Sequence, residues 1–359
     1  MDIQKIDKNF ALETKIGEHD VVFYDVRQEP FALYGFYAPL KSAEFRRVPE
    51  DVARATSDGV AYLSRCTAGG RVRFCTDSRY IAIKAEMPEI CRMDHMALTG
   101  SSAFDLYVDK PETEDTCFAH AYRPSFDFRD GYEAKKDFGT RRMRCVTINF
   151  PSYSHVKNLY IGLQEDAALT AGMAYRPLLP VVYYGSSITQ GGCSSRPGNA
   201  YQNVVSQRMN LDFLNLGFSG AGKGEDAIVQ YMATLPMSVF VSDYDHNAPT
   251  PEHLRATHEK LYRAIRTAHP DIPYIMLSRP NFHADLQSDI DRRSIIIDTY
   301  RNARAAGDQN VYFIDGASLF RGPYANMCTV DGCHPNDMGF ALMADAVEHT
   351  LREVLRKKA

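Results

Sequence analysis

The sequence predicts an all-β first half followed by an α/β second half built on a five-stranded parallel sheet. Up to about residue 170, apolar and polar residues alternate in short runs. Beyond that point, unbroken apolar runs take turns with helical patterns. At 359 residues the chain is also long enough for two domains of about 150 residues each.

In the first half, Val72 and Phe74 alternate with Arg71 and Arg73. Ile81, Ile83 and Ala85 share one face, as do Phe104, Leu106 and Val108. Val146, Ile148 and Phe150 repeat the pattern, and so do Leu159, Ile161 and Leu163. This period of two, interrupted by Gly, Asp, Ser and Pro clusters, marks antiparallel strands with one face on a core. Ala68-Gly69-Gly70 fits a hairpin turn, and Pro49 sits where a short helix over residues 48–55 begins. A β-sandwich over residues 1–174 is expected, with the linker at 171–177.

In the second half, residues 179–184, 213–216, 239–241, 274–277 and 311–314 are apolar without alternation, the pattern of strands buried on both faces. Between the third and fourth, Thr250-Pro251-Glu252 reads as an N-cap with Pro in the first turn. Leu254, His258, Leu261 and Ile265 then form one stripe. A last helix opens near Asn336 and carries Leu342, Met343, Ala346, Val347, Leu351 and Val354. Strands separated by helices require right-handed crossovers, hence a parallel sheet covered by helices over residues 175–359.

Composition narrows the function. Apolar residues make up 45% and charged residues 24%, as in an ordinary soluble globular protein. The net charge is -4 and no five like charges are consecutive, which argues against nucleic-acid or anionic-membrane partners. The apolar runs are too short to span a bilayer. MDIQKIDKNF has no basic-then-apolar leader pattern, so a cytoplasmic location is expected. The eight cysteines are irregularly spaced without C-x-x-C and are read as reduced thiols.

Open α/β sheets place their sites at the carboxyl ends of strands. After the first strand comes Gly185-Ser186-Ser187-Ile188, where Ser187 stands at the sheet edge as a candidate nucleophile. After the second comes Asn215-Leu216-Gly217-Phe218-Ser219-Gly220; Gly220 turns a backbone N–H outward, as an oxyanion donor requires. After the third comes Asp243-Tyr244-Asp245-His246-Asn247. Asn247 either donates its amide to an oxyanion or stabilises a turn. After the fifth comes Asp331-Gly332-Cys333-His334-Pro335. Asp331 lies three residues before His334, within reach of its Nδ1–H, leaving Nε2 to take a proton. Arg279, after the fourth strand, either holds a substrate or is a surface charge. Cys193 and Cys333 are read as small buried hydrophobes. Asp243, Asp245 and His246 come closest to a metal-ligand set, but adjacent loop positions rarely converge on one ion. No metal or cofactor is expected.

These four blocks, in this order, resemble the SGNH (GDSL-like) hydrolase superfamily. The family's G-D-S-[LI] matches Gly185-Ser186-Ser187-Ile188, with Ser186 in place of Asp. Its second-block Gly matches Gly220. Its third block, G-x-N-D, is matched at Asn247, and its D-x-x-H at Asp331 and His334. The resemblance implies a flavodoxin-like three-layer α/β/α hydrolase domain preceded by a jelly-roll-like sandwich. It implies Ser187 as nucleophile, His334 as base and Asp331 as its orienting carboxylate. The oxyanion would meet the N–H of Ser187, the N–H of Gly220 and the Asn247 amide. A β-domain before the hydrolase domain is also similar to bacterial carbohydrate esterases that remove acetyl groups. The expected activity is hydrolysis of small acyl esters on a small molecule or oligosaccharide. The chain has no Trp to build a sugar platform, though 21 Tyr and 19 Phe are available. The alternatives are a lipid-type or thioester hydrolase, for which no long apolar lid is visible, and a non-catalytic binding protein on the same fold.

Overall fold

β-Branched and aromatic side chains at every second position close two antiparallel sheets onto one core in the first half of the chain. The computed structural model describes residues 16–280 and 287–356. The N-terminal decapeptide and the first 15 residues of the expected 1–174 unit lie outside them. One sheet runs in the order β1 (Val21–Asp25), β9 (Asn158–Gln164), β4 (Tyr80–Glu86), β7 (Gly131–Asp137). The other runs β10 (Leu169–Ala171), β3 (Arg71–Thr76), β8 (Arg144–Asn149), β5 (Phe104–Lys110), β6 (Asp115–Tyr122). β2 (Ala32–Tyr34) also pairs with β3. Phe74, Ile81, Ile83, Leu106, Ile148 and Ile161 meet between the sheets.

Two expectations are corrected here. Ala68-Gly69-Gly70 is not a hairpin turn, because helices α1 (Glu50–Thr56) and α2 (Asp58–Leu63) precede β3. Cys75 and Cys145 are not reduced: they lie opposite one another on β3 and β8 and form a disulfide. Their 70-residue separation hid a pairing that strand register creates.

A short helix α3 (Leu98–Ser101) lies between β4 and β5 of the first half; the second half forms a parallel sheet in the order β12 (Phe213–Gly217), β11 (Val181–Gly185), β13 (Val239–Asp243), β14 (Tyr274–Leu277), β15 (Val311–Ile314). Helices α4 (Ser187–Gln190), α5 (Tyr201–Met209), α6 (Asp226–Thr234), α7 (Pro251–Ala268), α8 (Gln287–Ala305) and α9 (Asp337–Arg356) connect and cover it. Thr250 caps α7 by accepting from the His253 N–H, and its buried stripe is Leu254, His258, Leu261 and Ile265. Apolar clusters on both sheet faces complete the three layers.

The polar face of β3 does not meet solvent. Arg71 and Arg73 are buried against the second half. Arg71 pairs with Asp212 at 2.5 Å, lies 3.9 Å over the Phe213 ring and donates to the Tyr175 hydroxyl. Arg73 donates to Asn210 and pairs with Asp109 at 3.3 Å. Arg47, fully enclosed, donates to the carbonyls of Leu63, Cys66, Asn215 and Gly217. β3 alternates as its sequence predicts, and its polar face meets the interface between the two halves.

Asp105 on β5 crosses the same interface, accepting from Asn149 and from the Gly198 N–H, both at 2.8 Å. Burial pushes its carboxyl up to about 6. The folded protein therefore holds this proton more tightly than the unfolded chain. The resulting stabilisation is full below about pH 4 and is lost as pH rises through about 6. Asp105→Asn removes this loss. Its stability relative to wild type should improve by up to about 3 kcal/mol between pH 4 and pH 7, read from urea midpoints. A difference that does not vary with pH would mean the carboxyl stays ionised when buried.

Candidate active site

Three strands end level. Gly185 of β11 stands opposite Gly217 of β12 and Asp243 of β13. The chain then folds α4 tightly over those ends. A Cβ on Gly185 would lie 2.0 Å from Thr189 Oγ1 and 2.2 Å from the Asp243 carbonyl. One on Gly217 would lie 2.2 Å from the Gln190 nitrogen. Only glycine permits this approach. Ser186, where the family has Asp, is the N-cap of α4: its side chain accepts from the Ile188 N–H at 3.2 Å. Ser187 is buried as the first residue of that helix, where its N–H has no intrahelical acceptor.

His334 reaches Ser187 from the loop before α9. Its Nε2 lies 2.9 Å from Ser187 Oγ, and its Nδ1 lies 2.7 Å from Asp331 Oδ2. Asp331 Oδ1 also accepts the N–H groups of Cys333 and His334. Partial burial pushes this carboxyl up, but the bonds from the His334 backbone and ring and the Cys333 backbone outweigh it and hold it well below the carboxylate range. An ionised Asp331 only accepts, so the Nδ1 proton sits between the two groups and the Nε2 lone pair faces the serine hydroxyl. Ser187, His334 and Asp331 are thus brought into one hydrogen-bonded chain.

The expected oxyanion donors Gly220 and Asn247 do not stand free. The Gly220 N–H donates to Asn247 Oδ1 at 3.0 Å. Asn247 Nδ2 donates to the carbonyls of Phe218 and Gly222, at 2.7 and 2.9 Å. Both amide hydrogens are spent on the 218–222 loop, and the opposite amide orientation would set N–H against N–H. Asn247 ties the second-block loop to the end of β13; it does not offer an N–H to a ligand.

Its neighbour differs. His246 Nδ1 lies 3.6 Å from Cys333 Sγ, and Nε2 is buried with no hydrogen-bond partner among the described residues. Burial, then the positive charge of Arg279, drive its pKa well below the usual histidine value. Burial also pushes up the Cys333 thiol, which therefore keeps its proton and donates to Nδ1. The imidazole is neutral with its proton on the orphan Nε2, a buried donor near His334.

Arg279, expected as a substrate contact or a surface charge, is tied down. Its guanidinium pairs with buried Asp289 of α8 at 2.8 Å and its N–H donates to Asp245. The guanidinium is partly exposed, and its Nε finds no partner among the described residues. Cys193 is buried, and that burial pushes its thiol up to about 12, which withholds a thiolate at neutral pH.

The first half also approaches this region, which the sequence reading missed. The Tyr153 hydroxyl donates to the Ser187 carbonyl at 3.3 Å, and Gln190 donates to the Ser152 carbonyl. Thr99 donates to the Ser195 carbonyl at 2.6 Å. The His95 ring lies 5.4 Å from that of His334. His95, Ser152 and Tyr153 sit in aperiodic loops and Thr99 in the four-residue helix α3, and only packing of the two halves brings them here.

Residues 179–352 match the GDSL-like lipase/acylhydrolase family, and residues 21–169 match the N-terminus of SGNH-hydrolase-type esterases. The chain belongs to the GDSL-like (SGNH) hydrolases and is an ester hydrolase. No curated protein sequence matches it. Among solved structures, it is similar to a candidate GDSL-like lipase from Bacteroides ovatus, with TM-score 0.82 and 26% identity over 94% of this chain and 98% of that one. A salicylyl-acyltransferase from a tetracycline biosynthetic pathway shares the fold with TM-score 0.75 and 19% identity, over 94% and 99%. A family two carbohydrate esterase from Cellvibrio japonicus shares it with TM-score 0.63 and 11% identity, over 94% and 98%.

The Asn247 bonds generate a prediction. Asn247→Ala leaves the Phe218 and Gly222 carbonyls and the Gly220 N–H without their partner. Stability should fall by about 1–3 kcal/mol in chemical denaturation. An unchanged denaturation midpoint would show that the side chain does not hold the loop.

Proposed function

We propose that this ester hydrolase is a serine enzyme acting on small acyl esters, acetyl foremost, carried by a carbohydrate or a small alcohol. One observation carries the reading: the hydrogen-bonded chain from Ser187 Oγ through His334 to Asp331. A serine hydroxyl needs an adjacent base to attack an ester carbonyl. His334 Nε2 takes the proton as Oγ attacks and returns it to the leaving alcohol. Asp331 holds the ring and stabilises the imidazolium. Water then repeats the cycle on the acyl-serine. The oxyanion is met by the Ser187 N–H and the neutral His246 Nε2–H. The orphaned nitrogen of His246 supports that second role, because a buried donor without a partner is costly unless a ligand completes it. The carbohydrate part of the reading is supported by the shared fold of the carbohydrate esterase from Cellvibrio japonicus.

Ser187→Ala should abolish ester hydrolysis with the fold intact, and a fluorophosphonate should label Ser187 in the wild type. His246→Ala should lower kcat by roughly 10²–10³-fold with little change in KM, the loss typical of one transition-state donor. Labelling at another serine, or an active Ser187→Ala, overturns the mechanism.

Acyl length tests the substrate. Acetyl esters should be cut with higher kcat/KM than octanoyl esters of the same alcohol, each methylene that does not fit costing about 1–3 kcal/mol. A preference for the long chain would favour a lipid-type hydrolase.

A further inference from the structure

A ring nitrogen of His95, the sulfur of Cys193 and a ring nitrogen of His334 all lie within 4.8 Å of one another. Two of the three residues have no part in the chemistry above. His95 comes from the first half of the chain and Cys193 from the turn after α4. Cys193 has φ +71°, a left-handed backbone that L-residues seldom adopt. Such strain tends to collect where a side chain must be aimed. Its sulfur points toward the His95 backbone, 3.5 Å from that carbonyl.

The outer partners complete the pattern. His95 Nδ1 is 3.1 Å from the Asp94 carboxylate, as His334 Nδ1 is 2.7 Å from that of Asp331. A carboxylate on one ring nitrogen is the usual second partner of a metal-binding histidine. It sets the tautomer and leaves Nε2 as the ligand atom. Two oriented imidazoles and one sulfur are the donor set of a tetrahedral zinc site with one open position. Around zinc, with bonds of about 2.0–2.3 Å, ligand atoms stand about 3.3–3.8 Å apart. Side-chain rotations of about an ångström close the set, and His95 is exposed enough to make them.

We propose that His95, Cys193 and His334 form a binding site for a borderline-soft divalent cation, zinc above all, and that its occupation switches hydrolysis off. On binding, the cation exchanges waters for two imidazole nitrogens and a thiolate. The Cys193 S–H bond breaks, its proton passes to solvent, and no group changes oxidation state. His334 Nε2 is then bonded to the metal, and the Ser187 hydroxyl keeps its proton for want of an acceptor. Magnesium, which prefers oxygen ligands, does not fit this set.

The inhibition rests on the reading of Ser187 and His334 given above; the binding does not, and the two are tested apart. The full-length wild type, freed of metal with a chelator, is titrated with zinc while hydrolysing an acetyl ester. A saturable loss of activity, reversed by chelator and not produced by magnesium, is expected. Cys193→Ser and His95→Gln should keep their chelator-treated activity within a few fold of wild type. Both should need on the order of 10–100-fold more zinc for the same inhibition, at least the loss that follows removal of an outer-shell partner. Binding is read without activity by adding cobalt to Ser187→Ala. A thiolate-to-cobalt charge-transfer band should appear there and be missing when Cys193→Ser is added. Zinc inhibition equal in all three proteins, or no cobalt–thiolate band, overturns the site. If the wild type cuts no ester, the proposed function fails while the cobalt band still decides whether the metal binds.

Discussion

The candidate site depends on the close approach of α4 to the ends of β11 and β12. Three parallel strands finish level, at Gly185, Gly217 and Asp243, and the helix packs onto two positions with no side chain. Level ends bring Ser187, the 218–222 loop and the 243–247 loop into one small volume. Ser186 and Asn247 then consolidate that volume with side-chain bonds to the α4 N-terminus and to the second-block loop. Ser187 thus stands on a backbone fixed by the sheet ladder, which is where a site needs its least mobile atoms.

The two halves are joined by buried charge. Arg47 places its guanidinium among four backbone carbonyls, two of them on β12, the strand that leads into the 218–222 loop. Burial lowers its pKa to about 10, which still leaves it charged at neutral pH. Arg71 and Arg73 do related work against Asp212 and Asn210. Removing one partner of such a set strands a charge out of water, at several kcal/mol. The sandwich is therefore not a loosely tethered module. It is packed against the strand ends and sends Tyr153 and His95 toward Ser187 and His334.

The third block shows how a motif match can fall on a side chain whose hydrogen bonds are already made. Asn247 carries the residue type the family uses, and its amide is consumed by the loop. His246, one position earlier, carries the unspent donor. Adjacent residues in an irregular loop point in different directions, so residue type cannot say which side chain keeps an unspent donor. That choice is made by the partners each atom finds.

The sequence alone determined the fold class, the Asp331–His334 pair and the place of Ser187 at a strand end, because these follow from local signals: the switch of period near residue 170, glycine at strand ends, and Asp three residues before His; that Ser187 meets His334, 147 residues away, is decided by the fold. It made the strands paired along both edges legible, β3, β4, β5, β8 and β9, since burial there enforces alternation. It missed β1, β2, β6, β7 and β10, each with one paired neighbour at a sheet edge where polar residues are tolerated. Tertiary structure decided the rest. Strand register joined Cys75 to Cys145, and domain packing turned Arg71 and Arg73 inward. The same packing brought His95 to His334 and left Arg279 paired with Asp289. These are contacts between residues far apart in the chain, and no local pattern encodes a distance that only the folded backbone creates.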